Sequence, residues 1–242
     1  MELSRFFAET PGVALAFSGG VDSAYLLYEA VRSGCKVTAY YVKSPFQPEF
    51  EYADACRLAK QLGADMQTIY LDVLANPCIA QNPENRCYHC KKAIMTAILE
   101  QAKKDGYSVL IDGTNASDDC ADRPGMAALQ ELSVRSPLRE AGLSKDAIRK
   151  LSKEANLFTW DKPAYACLAT RIPTGTEITK TLLETTEKAE SYLMTLGFRD
   201  FRLRLGGRLQ VKKDQIPLAQ SLWAEITQTL KNDYPILTLE ER

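Results

Sequence analysis

The run Ser18-Gly19-Gly20-Val21-Asp22-Ser23 constrains this chain most, because of what stands on either side of it. Before it, the apolar run Val13 to Phe17 reads as a buried strand; after it, the amphipathic run Val21 to Ser33 reads as a helix. Two glycines at a strand-to-helix turn let the backbone bend sharply and approach an anion closely. The free N–H groups and positive dipole end of the helix then bind phosphate oxygens, with the hydroxyls of Ser18 and Ser23 as further donors. No GxxxxGK[ST] run, with its phosphate-reaching lysine, occurs in the sequence. A loop lacking that lysine suits pyrophosphate binding better than transfer of a terminal phosphoryl group. SGG alone is an ordinary capped turn; the full SGGVDS between a strand and a helix favours a nucleotide site.

The rest of the chain alternates short β-branched or aromatic runs with longer amphipathic ones, the pattern of a parallel α/β sheet. Strands are expected at Val37 to Val42, Thr68 to Val73, Ser108 to Asp112 and, as a fifth short one, Ser133 to Leu138. Helices are expected at Glu49 to Gly63, at Lys91 to Lys104, and at Ser144 to Asn156 with Ser144 as cap and Asp146 in the first turn. A long Pro- and Gly-bearing loop, Phe158 to Thr179, carries DKPAYACLATRIPTGTEIT, a length and composition that suggest function. Beyond it come a helix at Thr181 to Leu196, strands at Phe198 to Leu205 and Leu209 to Lys212, a helix at Asp214 to Lys231 and a last strand at Pro235 to Leu239. The expected organisation is a nucleotide-binding domain over 1–157, a cysteine loop over 158–174 and a small α/β appendage over 175–242.

Charge decides which partners to expect. The 242 residues carry 30 basic and 31 acidic side chains, a formal charge of -1, so no global field draws nucleic acid or anionic lipid. No stretch approaches the roughly 20 apolar residues of a membrane span, and the opening MELSRFFAETPGVALAF lacks a leader pattern, so a cytoplasmic protein with no membrane partner is expected. The apolar residues Trp223, Ile226 and Leu230 of the appendage suit packing within the chain or a subunit contact, and a homo-oligomer is expected.

Seven cysteines, an odd number, do not read as a disulfide framework. Cys87-Tyr88-His89-Cys90 stands just before the expected helix Lys91 to Lys104, and Cys167 lies far along the chain in the long loop. Three readings compete for the CxxC. A structural zinc site needs four closed ligands, and His89, next to Cys90, would be strained in the same tetrahedron. A redox dithiol uses a CxxC at a helix N-terminus, where the dipole lowers a thiol's pKa. A three-cysteine [4Fe–4S] cluster leaves one iron open. CxxC alone favours zinc or redox; Cys167 taken alone is a buried packing residue.

SGGVDS resembles the PP-loop of ATP pyrophosphatases, the adenine nucleotide alpha hydrolase-like fold. Together with CYHCKK, the turn Asp122-Arg123-Pro124-Gly125, the loop CLATRIPTGTEIT and RLRL at 202–205, in this order, it resembles the LarE family of ATP-dependent sulfur transferases over nearly the whole chain. The resemblance implies ATP, cleaved to AMP and pyrophosphate, with Ser18, Gly19, Gly20, Asp22, Ser23 and Arg123 at the nucleotide and Asp22 helping to hold Mg²⁺. It implies as substrate pyridinium-3,5-biscarboxylic acid mononucleotide, converted to its thiocarboxylate on the way to the nickel-pincer nucleotide. One branch of the family sacrifices the sulfur of a single cysteine. The other holds a [4Fe–4S] cluster on three cysteines, and Cys87, Cys90 and Cys167 match that branch. The family's loop commonly has Tyr where this chain has Thr174, so a ring contact with substrate is missing.

The implied chemistry is sound, because a carboxylate is anionic and lacks a leaving group, and adenylation corrects both faults. A substrate with a phosphate and two carboxylates needs cations. Arg171, Arg202 and Arg204 are the candidates, the last two on one face of a strand, with Glu190 carried over from the family more weakly. The rivals are a tRNA thiolase of the same superfamily, which would need a basic face, and a non-catalytic adenine-nucleotide-binding module.

Overall fold

The computed structural model describes residues 2–118 and 124–242, with only the backbone of Pro124. Arg123, expected at the nucleotide, lies outside the described residues. In chain order the elements are α1 (Leu3–Glu9), β1 (Gly12–Ala16), α2 (Val21–Arg32), β2 (Lys36–Lys43), α3 (Glu49–Leu62), β3 (Asp65–Tyr70), α4 (Pro77–Ala80), α5 (Arg86–Lys104), β4 (Leu110–Asp112), α6 (Pro124–Glu131), α7 (Pro137–Glu140), α8 (Lys145–Glu154), α9 (Lys180–Thr195), β5 (Arg202–Arg204), β6 (Arg208–Val211), α10 (Ile216–Ser221), α11 (Trp223–Leu230) and β7 (Thr238–Glu241). They form two compact units, Met1–Val73 with Asn85–Lys162, and Leu74–Glu84 with Pro163–Arg242.

The first unit is built on a parallel sheet of order β3-β2-β1-β4. Its central strand reads Gly-Val-Ala-Leu-Ala, with Val13, Ala14 and Leu15 fully buried, as expected of a strand covered on both faces. Val13 and Leu15 join Leu26, Leu27, Ile148 and the α1 residues Leu3, Phe6 and Phe7 in one cluster; Ala14 joins Tyr40, Met95, Ile98 and Leu110 in another. The chain runs outward from β1 in both directions, so β1 and β4 flank the switch point where open α/β sheets bind ligands, outside the strands' C-terminal ends. SGGVDS follows β1 at that end.

The expected parallel α/β class therefore holds, and three expected elements change. The fifth strand reduces to a single bridge between Arg135 and Ile111, because Pro137 lacks an N–H for a ladder and starts α7 instead. The CxxC lies inside α5: nothing between Arg86 and Lys104 is a Gly or Pro, so the helix runs back to its cap residue Asn85. The helix expected over 214–231 is divided into α10 and α11, with Pro217 in the first turn of α10 and a break at Leu222.

In the second unit, β5, β6 and β7 make a sheet of that order, antiparallel between the first two and parallel between the last two. Leu203, Leu209 and Val211 pack on Ala189, Leu193, Ile226 and Leu230 of α9 and α11. The first strand of this sheet is confined to Arg202–Arg204, because Asp200 takes a left-handed φ of 50° that a strand cannot continue through. Among the described residues no helix is long and apolar enough to cross a membrane.

Candidate functional site

In the first unit the SGGVDS turn is held in shape by its own hydroxyls. Ser18 Oγ and Ser23 Oγ are 3.1 Å apart, Ser23 Oγ donates to Gly20 O at 3.2 Å, and Ser18 N donates to Ser23 Oγ at 3.3 Å. Gly19 has φ 71°, and a Cβ there would sit 3.0 Å from that of Ala55 in α3. A second glycine is just as constrained: a Cβ on Gly113, the residue after β4, would come within 2.8 Å of Ser23 N. Two glycines from separate segments thus leave backbone, rather than side chains, around the start of α2.

Asp22 lies in the first turn of α2, where an anion suits the dipole. Burial pushes its carboxyl above the ordinary carboxylate range, and the Lys145 ammonium opposes that rise. Lys145 Nζ donates to Asp22 Oδ2 at 2.5 Å, while Asp22 Oδ1 is buried without a well-formed hydrogen bond among the described residues, the Asn115 side chain lying near enough to lower the carboxyl's pKa. A buried carboxylate oxygen without a well-formed hydrogen bond, beside this turn, fits the oxygen-ligand chemistry of Mg²⁺. Lys145 is the residue that sequence reasoning missed. It is the first residue of α8, after Ser144, whose Oγ accepts from Ala147 N at 3.3 Å. A cation there opposes the helix dipole, and that signal was available in the sequence. Beneath the turn, the buried Asp112 at the end of β4 accepts from Thr114 Oγ1 at 2.6 Å and Ser136 Oγ at 2.7 Å, with Lys91 Nζ at 4.0 Å.

Cys87 and Cys90 lie three residues apart on the first turns of α5, the former exposed and the latter half-buried. Arg86 Nη2 lies 3.9 Å from Cys87 Sγ. As soft donors on one helical face, the pair suits iron or zinc in type. Among the described residues no group of three or more His, Cys, Asp or Glu side chains is gathered into a metal site.

The second unit holds Cys167, Arg171, Glu190, Arg202 and Arg204. Cys167 is half-buried and precedes the 3₁₀ turn Leu168–Arg171. Arg171 and Glu190 are both 1% exposed and face each other in a forked pair, Nε to Oε1 and Nη2 to Oε2, each 2.9 Å. Burial lowers the Arg171 pKa, but the hydrogen bonds and charge of Glu190 outweigh it and leave a net rise. Arg204 donates through Nε to Gln210 Oε1 at 2.9 Å and through Nη1 to Thr170 O. Arg202 is half-buried, and its side chain makes no hydrogen bond or ion pair with any described residue. The pKa of both is lowered, first by burial and then by crowding among Arg171, Arg242 and each other for Arg202, and among Arg171, Arg208 and Arg242 for Arg204.

A parallel sheet with an SGGVDS turn at its switch point defines a PP-loop nucleotide-binding protein. A family model described as Thiamine biosynthesis protein (ThiI) matches residues 8–194. The chain is 36% identical over 238 residues to an uncharacterised protein of Synechocystis, covering 95% of this chain and 88% of that one. It is 35% identical over 194 residues to the pyridinium-3,5-bisthiocarboxylic acid mononucleotide synthase of Lactiplantibacillus plantarum, covering 79% of this chain and 70% of the synthase. The chain therefore belongs to this PP-loop family, together with that synthase. The fold is also similar to that of the NMN synthetase of Francisella tularensis, with a TM-score of 0.52 at 19% identity over 67% of this chain and 72% of that one. The resemblance to the LarE family stands at this level.

Proposed function

We propose that this protein is an ATP-dependent sulfur transferase that converts the carboxylates of pyridinium-3,5-biscarboxylic acid mononucleotide to thiocarboxylates, for a nickel-pincer nucleotide cofactor. One observation of geometry carries the reading. Arg202 is a half-buried guanidinium, crowded by other cations and unpartnered among the described residues, on a strand tied by hydrogen bonds to the Cys167 loop. Cations so crowded are relieved by an anion, and the substrate's phosphate supplies one. The shared ancestry with the L. plantarum synthase supports the choice of substrate.

ATP is held on the SGGVDS turn, its pyrophosphate on the N-terminal amides of α2 and its Mg²⁺ on Asp22. With Mg²⁺ bound at Asp22, Lys145 would be released to face the departing pyrophosphate and would fill the place of the lysine that the turn lacks. A substrate carboxylate oxygen attacks the α-phosphorus, the bond to the bridging oxygen breaks, and pyrophosphate leaves. A bisulfide equivalent then attacks the acyl carbon; AMP leaves with the bonding pair, one proton is released, and the product is a thiocarboxylate. Cys87, Cys90 and Cys167 are read as the ligands of a [4Fe–4S] cluster, which when bound supplies a sulfide kept deprotonated at neutral pH. With inorganic sulfide as the source of sulfur, no oxidant or reductant is needed.

A second reading takes Cys167 alone as the sulfur donor, half-buried just before the turn Leu168–Arg171, as in the other branch of the family. In it the Cys167 thiolate attacks the acyl-adenylate, AMP leaves, and β-elimination from the thioester releases the thiocarboxylate and dehydroalanine. Iron and acid-labile sulfide measured in protein prepared without oxygen separate the two. About four of each per chain, lost in Cys167→Ala, is the expected result. No iron after reconstitution, with a dehydroalanine mass at position 167 after reaction, selects the single-use route. No pyrophosphate release from ATP with the pyridinium substrate overturns both, and a salt-sensitive complex with bulk tRNA counts for a thiolase. A homo-oligomer is part of the proposal, tested by light scattering.

A further inference from the structure

Glu190 is bonded to more of the second unit than a substrate contact would need. Its Oε1 accepts from Arg171 Nε at 2.9 Å and from the backbone N–H of Leu203 at 2.8 Å; its Oε2 accepts from Arg171 Nη2 at 2.9 Å and from the Tyr165 hydroxyl at 2.6 Å. Those bonds saturate the carboxylate. Arg171 is committed to the same segment, because its Nη1 group shares its two hydrogens among Ala166 O at 2.6 Å, Cys167 O at 3.3 Å and Thr170 Oγ1 at 2.9 Å, with the Tyr165 ring 4.4 Å from its Cζ. Leu205 N donates to Arg171 O at 2.9 Å, and Arg204 Nη1 donates to Thr170 O. One buried pair thereby fastens the segment around Cys167 to the strand that carries Arg202 and Arg204.

We infer that Glu190 and Arg171 are positioning residues, which set the register between the sulfur-bearing Cys167 and the phosphate-holding Arg202 and Arg204, and do not themselves bind substrate. The inference rests on the reading of those three residues given above. Two physical points support it. Both residues are only 1% exposed, and their charged groups face each other rather than solvent. A buried ion pair is also a poor means of stabilising a core, because apolar residues of like volume often do as well, whereas a forked pair with two further bonds on the carboxylate fixes several segments in one geometry.

The test uses the double variant Arg171→Met with Glu190→Met, which keeps volume and leaves no unpaired buried charge, and the single variant Arg171→Lys, which keeps charge but not the fork. Thiocarboxylate formation from ATP, inorganic sulfide and pyridinium-3,5-biscarboxylic acid mononucleotide is followed with rate and half-saturation determined separately, and hydrogen exchange is followed in segments 165–172 and 202–205. Both variants are expected to lose about 100-fold in maximal rate with half-saturation changed by no more than about threefold, because the phosphate holders remain and the sulfur is misplaced. Both segments are expected to lose protection together. A half-saturation raised about tenfold at unchanged rate would make the pair substrate ligands and overturn the inference. So would parent behaviour in the double variant, or a parent rate in Arg171→Lys. If Cys167→Ala still forms product, it is the reading of the site that fails, and joint loss of protection still decides whether the pair couples the two segments.

Discussion

Lys145 and Asp22 show how a residue far along the chain completes a local motif. The turn itself was legible, since two glycines, two serines and an aspartate between a strand and a helix admit few uses. Its lysine was not, because it arrives 123 residues later from the start of another helix. Lys145→Met is expected to lower pyrophosphate release by about 100-fold, as loss of one charged donor at a developing anion does elsewhere, with the fold retained. The carboxyl of Asp22 adds a pH signature. Its folded pKa is raised by burial, so the folded state binds that proton more tightly than the unfolded chain does, and stability is lost as pH rises through the folded value. At neutral pH the ionised carboxylate is therefore a cost. Asp22→Asn is expected to be inactive yet more stable than the parent near neutrality, with the difference shrinking toward about pH 4, as read by denaturant unfolding at both pH values. Gly113 makes a steric counterpart: Gly113→Ala places a Cβ against Ser23 N and is expected to cost about 1–3 kcal/mol and to weaken ATP binding, measured by unfolding and calorimetry.

At the scale of elements, periodicity read correctly wherever an element is decided by its own residues. The strands β1, β2 and β4 and the helices α2, α3, α8 and α9 fall within a few residues of their expected places, and Ser144 caps α8 as its side chain demands. Local reading failed where one residue or a tertiary contact decides. Pro137 ends the strand expected over Ser133 to Leu138 and opens α7, Pro217 and Leu222 divide a helix, and α1 exists because Leu3, Phe6 and Phe7 reach the core. The CxxC was legible as a pair of thiols but not as helical, since composition there is neutral toward helix and only the missing Gly and Pro argue for it. The cap on α8 offers a prediction at this scale. Ser144→Ala removes the acceptor of Ala147 N and is expected to cost about 1 kcal/mol. Because Lys145 is the next residue, pyrophosphate release should fall by more than the stability change alone would cause, which a comparison of melting and rate at one temperature checks.

The second unit is assembled from two stretches of chain, and this property of the whole molecule no local pattern announces. Leu74–Glu84 belongs with Pro163–Arg242, and its bonds explain why. Asn82 is 3% exposed and holds φ 53°; its Nδ2 donates to Pro173 O at 2.8 Å and Ile172 O at 3.3 Å, its own O accepts from Gly175 N at 2.8 Å, and Ala80 O accepts from Ile178 N at 2.7 Å. The partners lie some 90 residues on, beyond the reach of any periodicity, although an asparagine is a residue type that tolerates a left-handed backbone. The bonded stretch, 172–178, directly follows the turn that Cys167 opens. Asn82→Ala strips the Ile172 and Pro173 carbonyls of a donor and puts a residue without a side-chain hydrogen bond into the left-handed region. It is expected to cost the second unit about 2–4 kcal/mol. Hydrogen exchange is the measurement suited to a chain of two units: amides of 172–178 should lose protection while those of the buried strand Gly12–Ala16 keep theirs. Equal loss in both would mean that the two units unfold as one, and that the excursion through 74–84 ties the stability of the cysteine loop to that of the nucleotide sheet.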